Sequence, residues 1–179
     1  MKLDLPPLLQ TSVDTLIRIK AAILIASSLI MAFVFFFVVL LRYLFDADLF
    51  AYEEWILVIA FWMYFIGGAM GSYENTHIKA DFLLSLFKSI RSKWLLVLFT
   101  QLLELGVSLV LTYWAWLMVA DEISAYPQWQ KTAALEIPFL LPRVGIFLGF
   151  CLMTFYIAMH LYSGWRQGPT EAWAAAETQ

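Results

Sequence analysis

The chain has 179 residues, 63% of them hydrophobic and 14% charged, with a mean hydropathy of +0.78. Soluble domains run near about 45–50% apolar and about 25% charged, so much of this chain must face lipid. The net charge of −3 comes with no dense basic patch, which excludes a nucleic-acid binder. The single cysteine, Cys151, excludes an internal disulfide and a two-cysteine redox relay.

Residues 1–20 read as a short amphipathic segment. Leu9, Val13, Leu16 and Ile17 fall on one helical face after Pro6-Pro7, and Asp14, Arg18 and Lys20 fall largely elsewhere. An interfacial helix leading into the membrane fits this pattern, with a disordered lead as the alternative. A signal peptide does not fit, because the apolar core is short and a full-length span follows.

Four apolar runs follow, over residues 21–41, 55–73, 94–120 and 137–162. About 20 residues at helical rise cross the hydrocarbon. The runs lack the period-2 alternation of a barrel strand, so they read as helices. The first two are free of charge, the third carries Glu104, and the fourth is interrupted by Arg143 and His160. Pro138 and Pro142 sit at the start of the fourth, where Pro142 falls one turn in and predicts a kink. Phe, Trp and Tyr cluster as in membrane-interface belts. The small, polar residues 166–179 read as a loose tail. The fold class is therefore an all-α integral membrane protein: four transmembrane helices, a short N-terminal interfacial helix, and a membrane domain over 21–165.

Lys and Arg set the orientation. Eight lie in the N-terminal segment, the second connection and the tail; three lie in the first and third connections. Both termini are thus expected in the cytoplasm. The opposite rim is acidic, with Asp46, Asp48, Glu53, Glu54, Asp121, Glu122 and Glu136.

Glu104 is the one acid well inside a span, and an intramembrane carboxylate is a functional hypothesis by default. It reads either as a proton or cation site, or as a protonated or hydrogen-bonded group inside the bundle. The second is favoured: Thr100 and Ser108 share its face at four-residue spacing, Ser27 and Ser28 lie at similar depth, and no basic residue is in reach.

Gly67, Gly68 and Gly71 on the second span, and Gly145 and Gly149 on the fourth, have the small-xxx-small spacing that lets helices approach closely. They would serve either packing within the bundle or packing against another subunit. His77 and Asp81 have i,i+4 spacing on the cytoplasmic connection and are read as a polar cap or subunit contact. Two histidines leave little room for metal or haem, so no metal and no cofactor is expected. No Lys or Arg lies in the middle of any span, and no two spans show matched interruptions, so a transport path through this chain alone is not expected.

Taken together, Arg42-Tyr43, Glu53-Glu54, Trp62 through Phe65-Ile66-Gly67-Gly68-Ala69, His77-Ile78 with Asp81, the run from Lys131 to Pro138, and the stretch from Gly145 to Phe150 carry a resemblance. Over about residues 20–165 the chain resembles the small membrane subunit of tripartite ATP-independent periplasmic (TRAP) transporters, the DctQ-like family. Lys79-Ala80 and Pro142-Arg143 depart from its usual pattern.

That resemblance implies a non-enzymatic scaffold subunit of a sodium-coupled importer of an organic acid in the bacterial inner membrane. The implied partners are a large membrane subunit and a transient periplasmic substrate-binding protein, besides the lipid bilayer. Subunit contacts would involve Gly67, Gly68, Gly71, Gly145, Gly149, His77 and Asp81. Docking of the binding protein would involve Arg42, Asp46, Asp48, Glu53, Glu54, Asp121, Glu122 and Lys131. Two other classes remain: a membrane anchor of a redox complex, or a stand-alone small transporter using Glu104.

Overall fold

A computed structural model of the chain describes residues 7–74, 87 and 89–170, with side chains from Val13 onward. Among the described residues there are four helices and no strand: α1 (Pro7–Phe45), α2 (Tyr52–Glu74), α3 (Ile90–Ser124) and α4 (Leu140–Gln167). All four are long and apolar enough to cross a membrane. A continuous helix satisfies its own backbone groups, which lipid cannot do for it.

The helices pack in the order α1–α2–α4–α3, so the last helix of the chain lies between the second and third. Its central place shows in its exposure. Leu141, Leu148, Phe155 and Tyr162 recur every seventh residue as one exposed stripe, and most other positions of α4 are covered. By contrast α1 presents most of its circumference outward, including Phe33, Phe36 and Phe37. Its packed face is a narrow stripe through Val13, Lys20, Ser27 and Val38.

That stripe explains why α1 departs from the sequence reading. The N-terminal segment is not a separate interfacial helix: α1 runs unbroken for 39 residues from Pro7. No Gly or Pro occurs between Leu8 and Phe45, and the packed stripe keeps its phase from Val13 to Val38. At 1.5 Å per residue α1 is about 58 Å long, roughly twice the hydrocarbon thickness.

The helix ends have local causes. Past Phe45, Asp46 takes φ 46° and Ala47 N–H donates to the Leu41 carbonyl at 3.2 Å. The helix thus stops at a left-handed residue, with Asp at the position that Gly usually fills. Glu53 and Glu54 occupy the first turn of α2, where the helix dipole favours acids. Helix α4 starts at Leu140, so Pro142 lies within its first turn. No intrahelical N–H bond is needed there, and the kink expected from Pro142 has no cause.

Polar bonds tie each of the other helices to α4. From α1, the Lys20 ammonium donates to the Tyr156 hydroxyl at 2.8 Å and lies 4.2 Å from that ring's centroid. From α2, Trp62 Nε1 donates to the Leu141 carbonyl at 3.0 Å. His160 Nε2 donates to the Tyr73 carbonyl, 2.9 Å away in the last turn of α2. From α3, Trp94 Nε1 reaches the Gly164 carbonyl at 2.9 Å. Ser108 and Thr112 converge on the Thr154 hydroxyl at 2.6 and 2.9 Å. Two of these bonds, to Tyr73 and Gly164, satisfy carbonyls of a helix's last turn, which have no intrahelical partner.

Candidate functional site

The functional candidates concentrate where the α1–α2 and α3–α4 connections meet. Beyond α3 the chain makes a small hairpin. Lys131 and Pro138 form an antiparallel bridge. Thr132 N–H donates to the Ile137 carbonyl at 3.0 Å, and Phe139 N–H to the Gln130 carbonyl at 3.0 Å. The Thr132 hydroxyl accepts from Ile137 N–H at 2.9 Å. Glu136, at φ 53°, supplies the left-handed turn, and its carboxylate meets Lys131 Nζ at 3.0 Å. The Tyr126–Pro127 bond in the approach is cis.

Two carboxylates hold this hairpin. Glu122, near the end of α3, has a side chain only 3% exposed and pairs with Arg143 Nη1 from α4. Its other oxygen accepts from Gln130 N–H at 3.0 Å, while Arg143 Nη2 donates to Gln130 Oε1 at 2.8 Å. Glu54, in the first turn of α2, accepts from the backbone N–H groups of Ala134 and Leu135, both at 2.7 Å. Charge-assisted bonds of this kind are short and directional. The starts of α2 and α4, the end of α3 and the hairpin are thereby one polar cap.

The acidic rim therefore divides in two. Glu54 and Glu122, read from sequence as docking acids, spend their carboxylates on the chain's own loop. The reason is geometric: each stands at a helix end beneath unpaired loop groups. Arg42, Asp48, Glu53 and Glu54 line a common recess of about 390 Å³ with Tyr52 and Ala134. Arg42, Asp48 and Glu53 are exposed, and among the described residues Arg42 has no hydrogen bond or ion pair. Asp46, Asp121 and Lys131 are also exposed, Lys131 being held by Glu136.

The glycines proposed as subunit contacts are packed from inside the chain. A Cβ at Gly149 would lie 2.5 Å from Phe65 Cβ and 3.1 Å from the Phe65 carbonyl oxygen. At Gly145 it would lie 3.1 Å from the Trp62 indole, and at Gly68 it would overlap Met153 Cε. Gly67 faces Leu24 of α1 at 3.7 Å. These four positions join α2 to α4 and α1 within the chain. Gly71 is half-buried near the end of α2. His77 and Asp81 lie outside the described residues.

Glu104 is not inside the bundle, as the sequence reading favoured. Its side chain is exposed, beside the face of α3 that packs through Val97, Ser108 and Ala115. Three of its four anticipated partners are engaged elsewhere. Thr100 donates to the Val97 carbonyl, Ser108 bonds Thr154, and Ser28 lies against Met63 Sδ.

Sequence reasoning missed Arg143, Gln130 and Lys20 as organising residues. An Arg one turn into an apolar run was a usable signal for a buried counter-charge. Nothing local marked Glu122, 21 positions earlier, as that charge. Among the described residues no cluster of three or more potential metal ligands occurs.

Residues 30–167 match the family described as tripartite ATP-independent periplasmic transporters, DctQ component. No curated protein matches the chain.

Proposed function

Because the chain belongs to the DctQ component family, and is thus a small multi-pass membrane subunit of a TRAP transporter, we propose that it acts as that transporter's fixed scaffold. It holds a large transport subunit in place, and its polar cap receives a periplasmic binding protein carrying an organic acid. The sodium and substrate sites belong to the large subunit. The membrane is a bacterial inner membrane, with both termini and the second connection on the cytoplasmic side, as the distribution of Lys and Arg supports. The polar cap then faces the periplasm.

One observation carries the scaffold reading. Every other helix is bonded to α4 by polar groups, and the cap locks α2, α3 and α4 together at one end. Such cross-links resist the relative helix motion that a moving element requires. The test is reconstitution into liposomes with a sodium gradient, binding protein and a panel of organic acids. Uptake is expected only when both membrane subunits are present. Sodium-driven uptake by this chain without the large subunit overturns the reading.

A further inference from the structure

From the position of Glu104 we infer that the flank of α3 bearing it is covered by a membrane helix of the large subunit. That helix presents a basic or amide side chain at the same depth. The inference rests on the scaffold reading and adds the face and the chemistry of the contact.

Glu104 lies three residues from the middle of α3, whose 35 residues run from Ile90 to Ser124. At helical rise it is about 4.5 Å from that midpoint, so with α3 centred in the bilayer roughly 10 Å of hydrocarbon separates it from the nearer headgroup region and about 20 Å from the farther. A glutamate side chain is too short to cross that gap, unlike the lysines and arginines that snorkel. Ionisable groups at this depth face protein or water. In this chain Glu104 faces outward, with exposed Val107 and Leu111 next along its flank. Among the described residues it has no hydrogen bond or ion pair. An acceptor left bare in lipid is strongly disfavoured, so a partner must supply the donor.

A second copy of this chain offers no cation and no amide to Glu104 at the same depth. A two-fold contact across this flank brings the same surface together, and hence carboxylate against carboxylate. Charge complementarity instead calls for a chain with a donor at that depth. Gly68, Gly145 and Gly149 are already packed by Met153, Trp62 and Phe65 of the chain itself.

The test uses the full chain coexpressed with its large subunit. A benzophenone amino acid placed at position 104 should crosslink to the large subunit on irradiation. The same probe at Leu102, which lines the apolar groove between α3 and α4, should not. Glu104→Leu should weaken the complex in detergent by about 3- to 20-fold, the range of interhelical polar contacts in membranes. It should leave the melting temperature of the separately purified chain unchanged, and Glu104→Gln should retain most of the complex.

Adducts from position 104 only to lipid or to a second copy would overturn the inference, as would an unaltered Glu104→Leu complex. A lowered melting temperature of the lone Glu104→Leu chain would also overturn it, by showing an internal role. In each case a wild-type complex that still forms leaves the scaffold reading standing. Failure of the wild-type chain to bind the large subunit would instead remove the scaffold reading itself.

Discussion

Lys20 and Tyr156 stand 136 positions apart in the chain and 2.8 Å apart in space, with the ammonium donating to the phenol oxygen. Lys20 is 4% exposed and Tyr156 fully buried. A second ring, Tyr73, lies 5.9 Å from the same ammonium. The pair fastens α1, whose outward surface is otherwise apolar, to the central helix. Tyr156→Phe keeps the ring and removes the acceptor. It should destabilise the subunit by about 1–3 kcal/mol, the cost of a buried polar group without its partner. Lys20→Met should be milder, since it removes both the charge and its need for a partner. Melting temperatures of the two variants in detergent check the order; equal losses would contradict it.

The glycines make a paired prediction. Gly149→Ala would push a methyl against Phe65 Cβ and backbone, and backbone gives way reluctantly. Overpacking of this kind costs about 1–3 kcal/mol. At Gly67 the nearest atom is Leu24 Cδ2 at 3.7 Å, an ordinary contact. Gly67→Ala should therefore be neutral or stabilising by up to about 1 kcal/mol, because alanine restricts the unfolded chain and favours helix. A lowered melting temperature for Gly149→Ala, with an unchanged or raised one for Gly67→Ala, is the expected outcome.

Glu122 and Arg143 should behave as a coupled pair. Arg143→Ala leaves a carboxylate with 3% exposure facing only Gln130. Breaking a buried pair costs about 3–5 kcal/mol, and the lower end applies because Arg143 is itself 23% exposed. Adding Glu122→Gln should restore part of the loss, because the amide carbonyl still accepts from Gln130 N–H. A double-mutant cycle on unfolding free energy measures this, and strictly additive losses would deny the coupling.

Charges on the cap should separate by role. Neutralising Asp48, Glu53 and Asp121 together removes exposed acids that hold no internal bond. The expected result is slower association with the binding protein and a weaker salt dependence, with stability lowered by no more than about 1 kcal/mol, the helix-dipole share of Glu53. Glu54→Gln should act differently, because its carboxylate holds the hairpin tip. Amide hydrogen exchange should accelerate at Ala134 and Leu135 and stay unaltered at Phe139, whose N–H bonds within the hairpin. Stopped-flow association at two salt concentrations and exchange mass spectrometry provide the two readouts.

That the chain has four helices able to span a membrane was legible in the amino-acid sequence alone. Transfer of a residue into hydrocarbon is nearly additive, so a charge-free run of about 20 residues declares itself without its neighbours. The family resemblance was legible in the order and spacing of short motifs along the chain. Which helix lies beside which was not. Spans such as α1 are apolar on every side, so their pattern names no inward face, and lipid supplies little hydrophobic drive to sort them. The order α1–α2–α4–α3 is set by side-chain fit and by long-range polar bonds such as Trp62 to the Leu141 carbonyl and Ser108 to Thr154. That order decided the residue roles. It turned Gly149 inward against Phe65, placed Glu122 beneath Arg143, and left Glu104 facing out, because each role depends on what the rest of the chain brings opposite.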